Sequence, residues 1–322
     1  MTKELQDVMT SRFPNLDSRL ILAPMAGVNC AAFRLICKKS GAGMVSTPMI
    51  HVKGLCENPE PIIDRTCFIK DERPISVQFV GSDPVAAGNA TKIIENYADV
   101  IDINMGCPEK DILKDKSGSF FTKHPEQMKK IVEPIINSTN KPVTAKIRIG
   151  WDDNSINTLT SVKVLEDLGV SAIAIHGRSK AQGYSGVANL EEIRKAKEVA
   201  NVPIIGNGDI DKPGKAKAMF EKTKCDYAMI GRGAMGNPLL FKTSNYLLEH
   251  GKNLEEPSEE EKINTFYEFL KYYEKYENNR SFSELRQQSM WFTKSLKGAK
   301  ILRQKLITAK TVQEIIDIYK KQ

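Results

Sequence analysis

The sequence predicts an α/β protein: a (β/α)8 TIM-type barrel over residues 1–250, followed by a smaller all-helical C-terminal domain over 251–322. Three observations carry this expectation. Eight short apolar runs recur between residues 19 and 230, amphipathic stretches of helical period lie between them, and past residue 236 the helical period stands alone. Near-continuous hydrophobicity is what strands buried on both faces require, as in a parallel sheet. Eight such strands alternating with helices make the count of a barrel. An open doubly wound sheet is the competitor, but it brings an early glycine-rich dinucleotide loop, and no GxGxxG follows a strand here.

The runs are RLILAP (19–24), GMVST (43–47), ISVQF (75–79), VIDIN (100–104), VTAKI (143–147), AIAIH (172–176), PIIGN (203–207) and YAMIG (227–231). Helices are expected between them at Ala86–Tyr97, Glu126–Asn137, Ser155–Leu168 and Leu190–Val199. Gly236-Asn237-Pro238 and the stretch from Glu249 to Pro257 read as punctuation and linker. Beyond them, SEEEKINTFYEFLKYYEKYENN and SFSELRQQSMWFTKSLKGAKILRQKLI repeat with helical period, acids leading the first segment.

Composition narrows the class. At 322 residues, 41% hydrophobic and 27% charged, the chain can bury a sizeable core. No apolar run approaches the roughly 18 residues that cross a bilayer, so no membrane partner is expected. The opening MTKELQDVMTSRF lacks a charged-then-apolar leader pattern. Six cysteines at irregular spacing in a long chain suggest reduced thiols and a cytoplasmic location rather than a disulfide framework. With four histidines and no CxxC pair, no metal site is expected.

Charge is unevenly placed. From Arg280 to Lys310 stand eight basic residues (Arg280, Arg286, Lys294, Lys297, Lys300, Arg303, Lys305, Lys310) against one acid, Glu284, an excess equal to the whole chain's +7. A localised basic segment is the footprint of a polyanion partner or, more plainly, a solvated lysine-rich helix face. Trp291 and Tyr272, Tyr273 and Tyr276 could stack on bases, but their helical spacing reads as core.

The chemistry of a barrel sits at the carboxyl ends of its strands. Those ends read Pro24-Met25-Ala26, Thr47, Gln78, Asn104, Lys146, His176, Asn207-Gly208-Asp209 and Gly231-Arg232. Singly, each is a satisfied polar group or a loop start; at a common depth they form a ring around a ligand. The glycines after the seventh and eighth runs let backbone N–H groups approach an anion, with Arg232 as charge partner, so a phosphorylated cofactor or substrate is expected. Lys146, inside the barrel, must be paired or functional: a Schiff base or a cation beside an electron-rich ring. His176 could donate to the same ring. Cys107 follows the fourth run between Gly106 and Pro108; its thiol, with an ordinary pKa of about 8.5, can protonate a carbon that has accepted hydride, or act as a nucleophile.

LAPMAGV (22–28), VQFVGSDP (77–84), DINMGCPEK (102–110), AKIRIGW (145–151), IHGRSKAQGYSG (175–186), GNGDI (206–210) and IGRGAMGNP (230–238) resemble, in order, the tRNA-dihydrouridine synthase family, and LRQQSMWFTKSLKGAKILRQKL (285–306) is similar to its basic helical domain. The resemblance implies FMN-dependent reduction of uridine to 5,6-dihydrouridine in tRNA, with NADPH as reductant. Pro24, Met25 and Ala26 would flank the FMN ring, Gln78, Lys146 and His176 would contact it, and Asn207, Gly208, Asp209, Gly231 and Arg232 would hold ribityl and phosphate. Hydride would pass from reduced FMN to uracil C6, Cys107 would protonate C5, and Asn104 would orient the base. Arg178, Arg286, Lys294, Lys297 and Arg303 would contact the RNA, offsetting the cost of extruding a base. Two departures from the family pattern stand out: Asn29-Cys30 after APMAGV, usually Thr-Asp, and the loop after the cysteine, Ser117-Gly118-Ser119-Phe120-Phe121, where the family commonly reads Ala-Gly-Ser followed by small or aliphatic residues. The rivals are an FMN barrel dehydrogenase acting on free pyrimidines, a lyase using Lys146, and a non-catalytic RNA-binding barrel protein.

Overall fold

The computed structural model describes residues 13–321, so the leader pattern sought at residues 1–12 lies outside the described residues. Nine strands appear among them: β1 (Leu20–Leu22), β2 (Val45–Ser46), β3 (Ile50–His51), β4 (Ile75–Val80), β5 (Val100–Met105), β6 (Val143–Arg148), β7 (Ala172–His176), β8 (Ile204–Asn207) and β9 (Tyr227–Ile230). They pair in the order β1-β9-β8-β7-β6-β5-β4-β2, with β3 beside β4. Every named pairing is parallel. β1 and β2 close the ring through a single bridge between Ile21 and Met44, where Leu22 donates its N–H to Met44 O (2.9 Å) and Gly43 to Leu20 O (2.7 Å). At the carboxyl ends of this seam the Asn29 amide donates to Ala23 O (2.7 Å) and Ser46 O (2.8 Å). The residue that departs from the family pattern thus stitches β1 to β2.

The second run, GMVST (43–47), holds β2, and a further short strand that the apolar pattern did not include, β3, follows it. Val45 pairs with Ile75 but Ile50 with Phe79, so the β2–β3 side carries one residue more than β4 between these registers. Thr47-Pro48-Met49 take up the excess as a bulge, because Pro48 has no N–H for the ladder. Of the expected helices, Leu190–Val199 stands as read, with Asn189 as its cap. Another begins earlier than expected, at Pro84, because the Asp83 carboxylate accepts the Val85 and Ala86 N–H groups (3.0 Å each) and proline suits the first turn.

Alternation along the strands divides the core. Ile21, Ala23, Val100, Ala172, Ala174, Ile205 and Met229 gather in one cluster with Phe13, while Leu20, Leu22, Ile101, Ile103, Ile173, Ile175 and Ile204 pack in the larger cluster with the helices. Period two in the strands therefore sets one face toward the barrel axis and one toward the helical layer.

The last barrel helix, Leu239–His250, stops at Gly251. Four helices follow, Glu259–Tyr276, Phe282–Phe292, Ala299–Thr308 and Val312–Lys320, the first two opened by capping boxes at Ser258 and Ser281. Phe266 stacks on Tyr319 (3.9 Å between ring centroids) and Phe269 on Phe292 (4.8 Å). Tyr273 is buried, and Tyr272, Tyr276 and Trp291 pack against core side chains. Among the described residues no helix is long and apolar enough to cross a membrane.

This helical layer is packed onto the barrel. Gly236, with φ +64°, lies so close to the Trp291 carbonyl that a Cβ at 236 would sit 2.0 Å from its oxygen. Gln288 donates to Val28 O (2.7 Å). Glu277, 5% exposed, accepts the Ala32 N–H (3.0 Å). It thereby caps helix Ala31–Lys39, whose own N-cap residue, Cys30, makes no side-chain capping bond. Arg280 pairs with Glu277, which removes it from the exposed basic segment.

Candidate functional site

Parallel register lines up the polar inward positions. Gln78 is the partner of Asp102 and Asp102 of Thr144; Asn104 is the partner of Lys146; Arg148 pairs with His176 and His176 with Asn207. Polar residues two apart on β5 and β6 therefore fall on the barrel face already fixed by the apolar alternation, near the carboxyl ends.

These residues open onto a cavity of ≈ 660 Å³, within the roughly 300–1,000 Å³ usual for small-molecule sites. Pro24, Met25, Ala26, Gln78, Asn104, Cys107, Lys146, His176, Asn207, Gly208, Asp209, Gly231 and Arg232 all line it, and from the helical layer so does Lys294. Arg286, Lys297 and Arg303 do not. Lys297 and Arg303 are exposed on the helical layer, and half-buried Arg286 reaches the Ala309 carbonyl (3.3 Å).

The Cys107 turn is held from β5. Asn104 Oδ1 accepts the N–H groups of Gly106 (3.1 Å) and Cys107 (2.8 Å), and Arg148 Nε donates to Gly106 O (2.8 Å). Burial pushes the Cys107 thiol above its ordinary pKa, against the opposing pull of the Glu109 N–H, so it stays protonated at neutral pH. Burial also lowers Lys146, helped by the Arg148 charge and resisted by Asp102, to about 8. His176 falls to about 2, first through burial and then through Lys146 and Arg148, and is neutral. Arg178 Nη1 lies 3.4 Å from His176 Nε2; because guanidinium only donates, that nitrogen accepts and the proton sits on Nδ1.

Arg178, expected at the RNA, is placed otherwise. It is 2% exposed and donates to Ser185 O (2.9 Å), Gly186 O (2.7 Å) and the Asp209 carboxylate (2.8 Å). Its donors hold the loop after β7 to the loop after β8, leaving the cation no face toward a substrate. Partial burial works against the Asp209 charge, yet the Ala188 N–H and Arg178 hold its carboxyl below the usual range.

Among the lining residues missed in the sequence are Arg148, Tyr184 and Met49. Arg148, 3% exposed, also donates to Ser179 O (3.0 Å) and Gly183 O (2.9 Å), joining the loop after β5 to the loop after β7. Tyr184 stands exposed at the mouth, its ring 4.5 Å from the Arg232 guanidinium. Met49 sits in the β2–β3 bulge and contacts Asn104. Strand alternation could have revealed Arg148, two residues beyond Lys146; nothing local marks the other two.

A closed parallel barrel with a thiol, a cavity-facing lysine and an anion-ready pair of glycine turns converging on its carboxyl rim defines an α/β-barrel enzyme. Solved structures with the same fold include histamine dehydrogenase from Rhizobium sp. 4-9 (TM-score 0.56, 13% identity over 76% of this chain and 48% of that one). Another is 6-hydroxypseudooxynicotine amine oxidase from Pseudomonas geniculata N1 (0.57, 12%, 78% and 51%). The chain spans about half the length of each, and the likeness shows the fold alone. Residues 21–321 match the dihydrouridine synthase family model, and the chain belongs to that family. It is 39% identical over 262 residues to tRNA-dihydrouridine synthase B of Vibrio parahaemolyticus (79% of this chain, 81% of that one). To the Pasteurella multocida protein of the same name it is 35% identical over 291 residues (90% and 88%).

Proposed function

We propose that this enzyme reduces uridine in tRNA to 5,6-dihydrouridine, with FMN held in the barrel mouth and NADPH as reductant. The observation that carries the reading is that Cys107 and the β8 and β9 glycine turns line one cavity, so a proton donor and an anion cradle face the same space, room for a cofactor and a base side by side. The residues fit a flavin mononucleotide. Gly231 faces the cavity wall, and a Cβ there would lie 3.6 Å from Ala23 Cβ and 3.9 Å from Met25 Sδ, narrowing the space a flat ring needs. Gln78, Lys146 and neutral His176 offer polar contacts to such a ring, Pro24, Met25 and Ala26 flank it, and Asn207, Gly208, Asp209, Gly231 and Arg232 form the ribityl and phosphate end. Bound there, the cofactor would supply the hydride that uracil C6 takes up. Asn104 orients the base, and Cys107, protonated at neutral pH, delivers the C5 proton. Residues 1–250 would then form the catalytic domain and 251–322 the RNA-binding domain.

The basic segment supplies the RNA contact. Lys294, Lys297 and Arg303 are exposed on the helical layer, and Lys294 also borders the cavity, so phosphates held there would position the target nucleotide at its mouth. Reversing charge in K294E/K297E should weaken tRNA binding and flatten its salt dependence by about 2 in slope, read by filter binding across a salt series. Binding and slope equal to the parent would assign the RNA surface elsewhere.

Lys146 sets a pH limit. Its ammonium is present below about 8 and lost as pH rises through that value. FMN affinity, followed by quenching of flavin fluorescence on titration into flavin-free protein, should therefore weaken between pH 7 and pH 9.5, roughly the span across Lys146 deprotonation. In K146R the cation persists and the decline should vanish; an unchanged decline would move the titration to another group.

A further inference from the structure

We propose that Asp102 is a positioning residue: it sets the direction in which the Gln78 and Asn104 side-chain amides point, and through them holds the turn that presents Cys107. The role of Cys107 rests on the function proposed above; the hydrogen-bonded chain that holds it does not.

The chain runs across two strands and into the turn. Asp102 is 5% exposed at the middle of β5, between its register partners Gln78 and Thr144. Its Oδ1 accepts the Thr144 hydroxyl (2.6 Å) and its Oδ2 accepts Gln78 Nε2 (2.7 Å). Gln78 Oε1 then faces Asn104 and accepts its Nδ2 (2.8 Å). Asn104 Oδ1 is thereby turned to the backbone, where it accepts the Gly106 and Cys107 N–H groups.

A side-chain amide fits its space almost equally well in two orientations, which exchange donor for acceptor. Two amides in series could therefore run either way. An ionised carboxylate ends the ambiguity, because it accepts and does not donate; burial raises the Asp102 pKa, and the Thr144 and Gln78 donors and the Lys146 charge oppose that rise. With Asp102 at one end, Gln78 must present nitrogen to it and oxygen to Asn104. Were the chain reversed, Asn104 would present Nδ2 to two backbone donors, and the turn would lose both hydrogen bonds. Arg148 would still hold Gly106 through its carbonyl, but among the described residues no second acceptor takes the Cys107 N–H.

The test uses two variants of the full chain, with alkylation of Cys107 by iodoacetamide in flavin-free protein as the readout and Cys56, partly exposed and away from the cavity, as internal reference. D102L removes the acceptor at similar volume. Cys107 should alkylate faster relative to Cys56, and with FMN bound kcat should fall about 100-fold with KM for tRNA little changed, the loss expected of a misplaced reacting group. D102N should restore both toward the parent, because Thr144 can turn its hydroxyl to accept the new amide and leave oxygen facing Gln78. If D102L does not fold, D102N/T144V carries the test: without the hydroxyl the amide introduced at position 102 is free to turn, and Cys107 should alkylate faster than in D102N alone.

A parental Cys107-to-Cys56 ratio in D102L, or in D102N/T144V, overturns the proposal. So does a D102N variant as impaired as D102L, which would make charge rather than direction the contribution of Asp102. Failure of the parent protein to bind FMN or reduce tRNA would instead overturn the proposed function, leaving the alkylation ratios to decide this one.

Discussion

Replacing Cys107 by alanine is expected to slow uridine reduction in tRNA by roughly 10²–10⁴-fold while FMN remains bound, the range associated with a positioned general acid. The substitution isolates chemistry from architecture. What holds the turn is the Cys107 N–H, donated to Asn104 Oδ1 at 2.8 Å, and alanine keeps that N–H. What is lost is a thiol whose raised pKa keeps it protonated at neutral pH, which suits a donor and disfavours a thiolate nucleophile. Dihydrouridine measured by mass spectrometry of digested tRNA, beside the flavin absorption of the same preparation, reads both halves. Parental turnover in C107A would remove the thiol from the reaction. Loss of flavin along with turnover would make the residue part of the cofactor site instead.

The largest effect on stability is expected far from the chemistry. Arg34 lies in helix Ala31–Lys39 with its side chain fully buried, donating to both carboxylate oxygens of an equally buried Glu72 (2.7 and 3.0 Å) and to the carbonyls of Asn29, Thr66 and Cys67. Burial opposes the guanidinium charge, yet Glu72 more than offsets this, and the Arg34 pKa stands above its ordinary value. Glu72→Gln leaves the cation in place without its counter-charge. Stability should drop by about 3–5 kcal/mol, a large share of the roughly 5–15 kcal/mol that holds a protein folded. Arg34→Met/Glu72→Gln should regain only part of the loss, because no charge is then left buried but the Asn29, Thr66 and Cys67 carbonyls lose the Arg34 donor. Urea midpoints of the three proteins decide it: a single variant within about 0.5 kcal/mol of the parent would behave like a surface change and contradict the account.

The barrel was legible because its strands are buried on both faces, so burial itself wrote the apolar runs, and their polar ends marked the rim. Lys146 and His176 stood out as polar residues closing such runs, and Cys107 as a thiol between Gly106 and Pro108. Asp102 did not stand out. Inside VIDIN it reads as an interruption, and its meaning depends on Gln78 and Thr144, which only the strand register brings beside it. Arg178 misled for a related reason: charge invites a functional reading, and nothing local shows that Ser185, Gly186 and Asp209 will consume its donors. The helices Val52–Glu57, Pro59–Thr66, Lys110–Lys114 and Phe120–Lys123 escaped notice because each is too short to show a period. The break at Pro48 could have been read from the absence of its N–H. Counting Arg280 in the basic segment failed because Glu277, three residues earlier, belongs to the cap of a helix in the barrel.

That cap bears on leverage. Glu277 on the Ala32 amide, Gln288 on the Val28 carbonyl and the bare backbone of Gly236 against Trp291 seat the helices as a wedge rather than a tethered arm. For an RNA lying along them, the distance from lysine to barrel mouth is built in, as in a jig. Under the proposed function, distortion would then fall on the nucleic acid rather than on the enzyme.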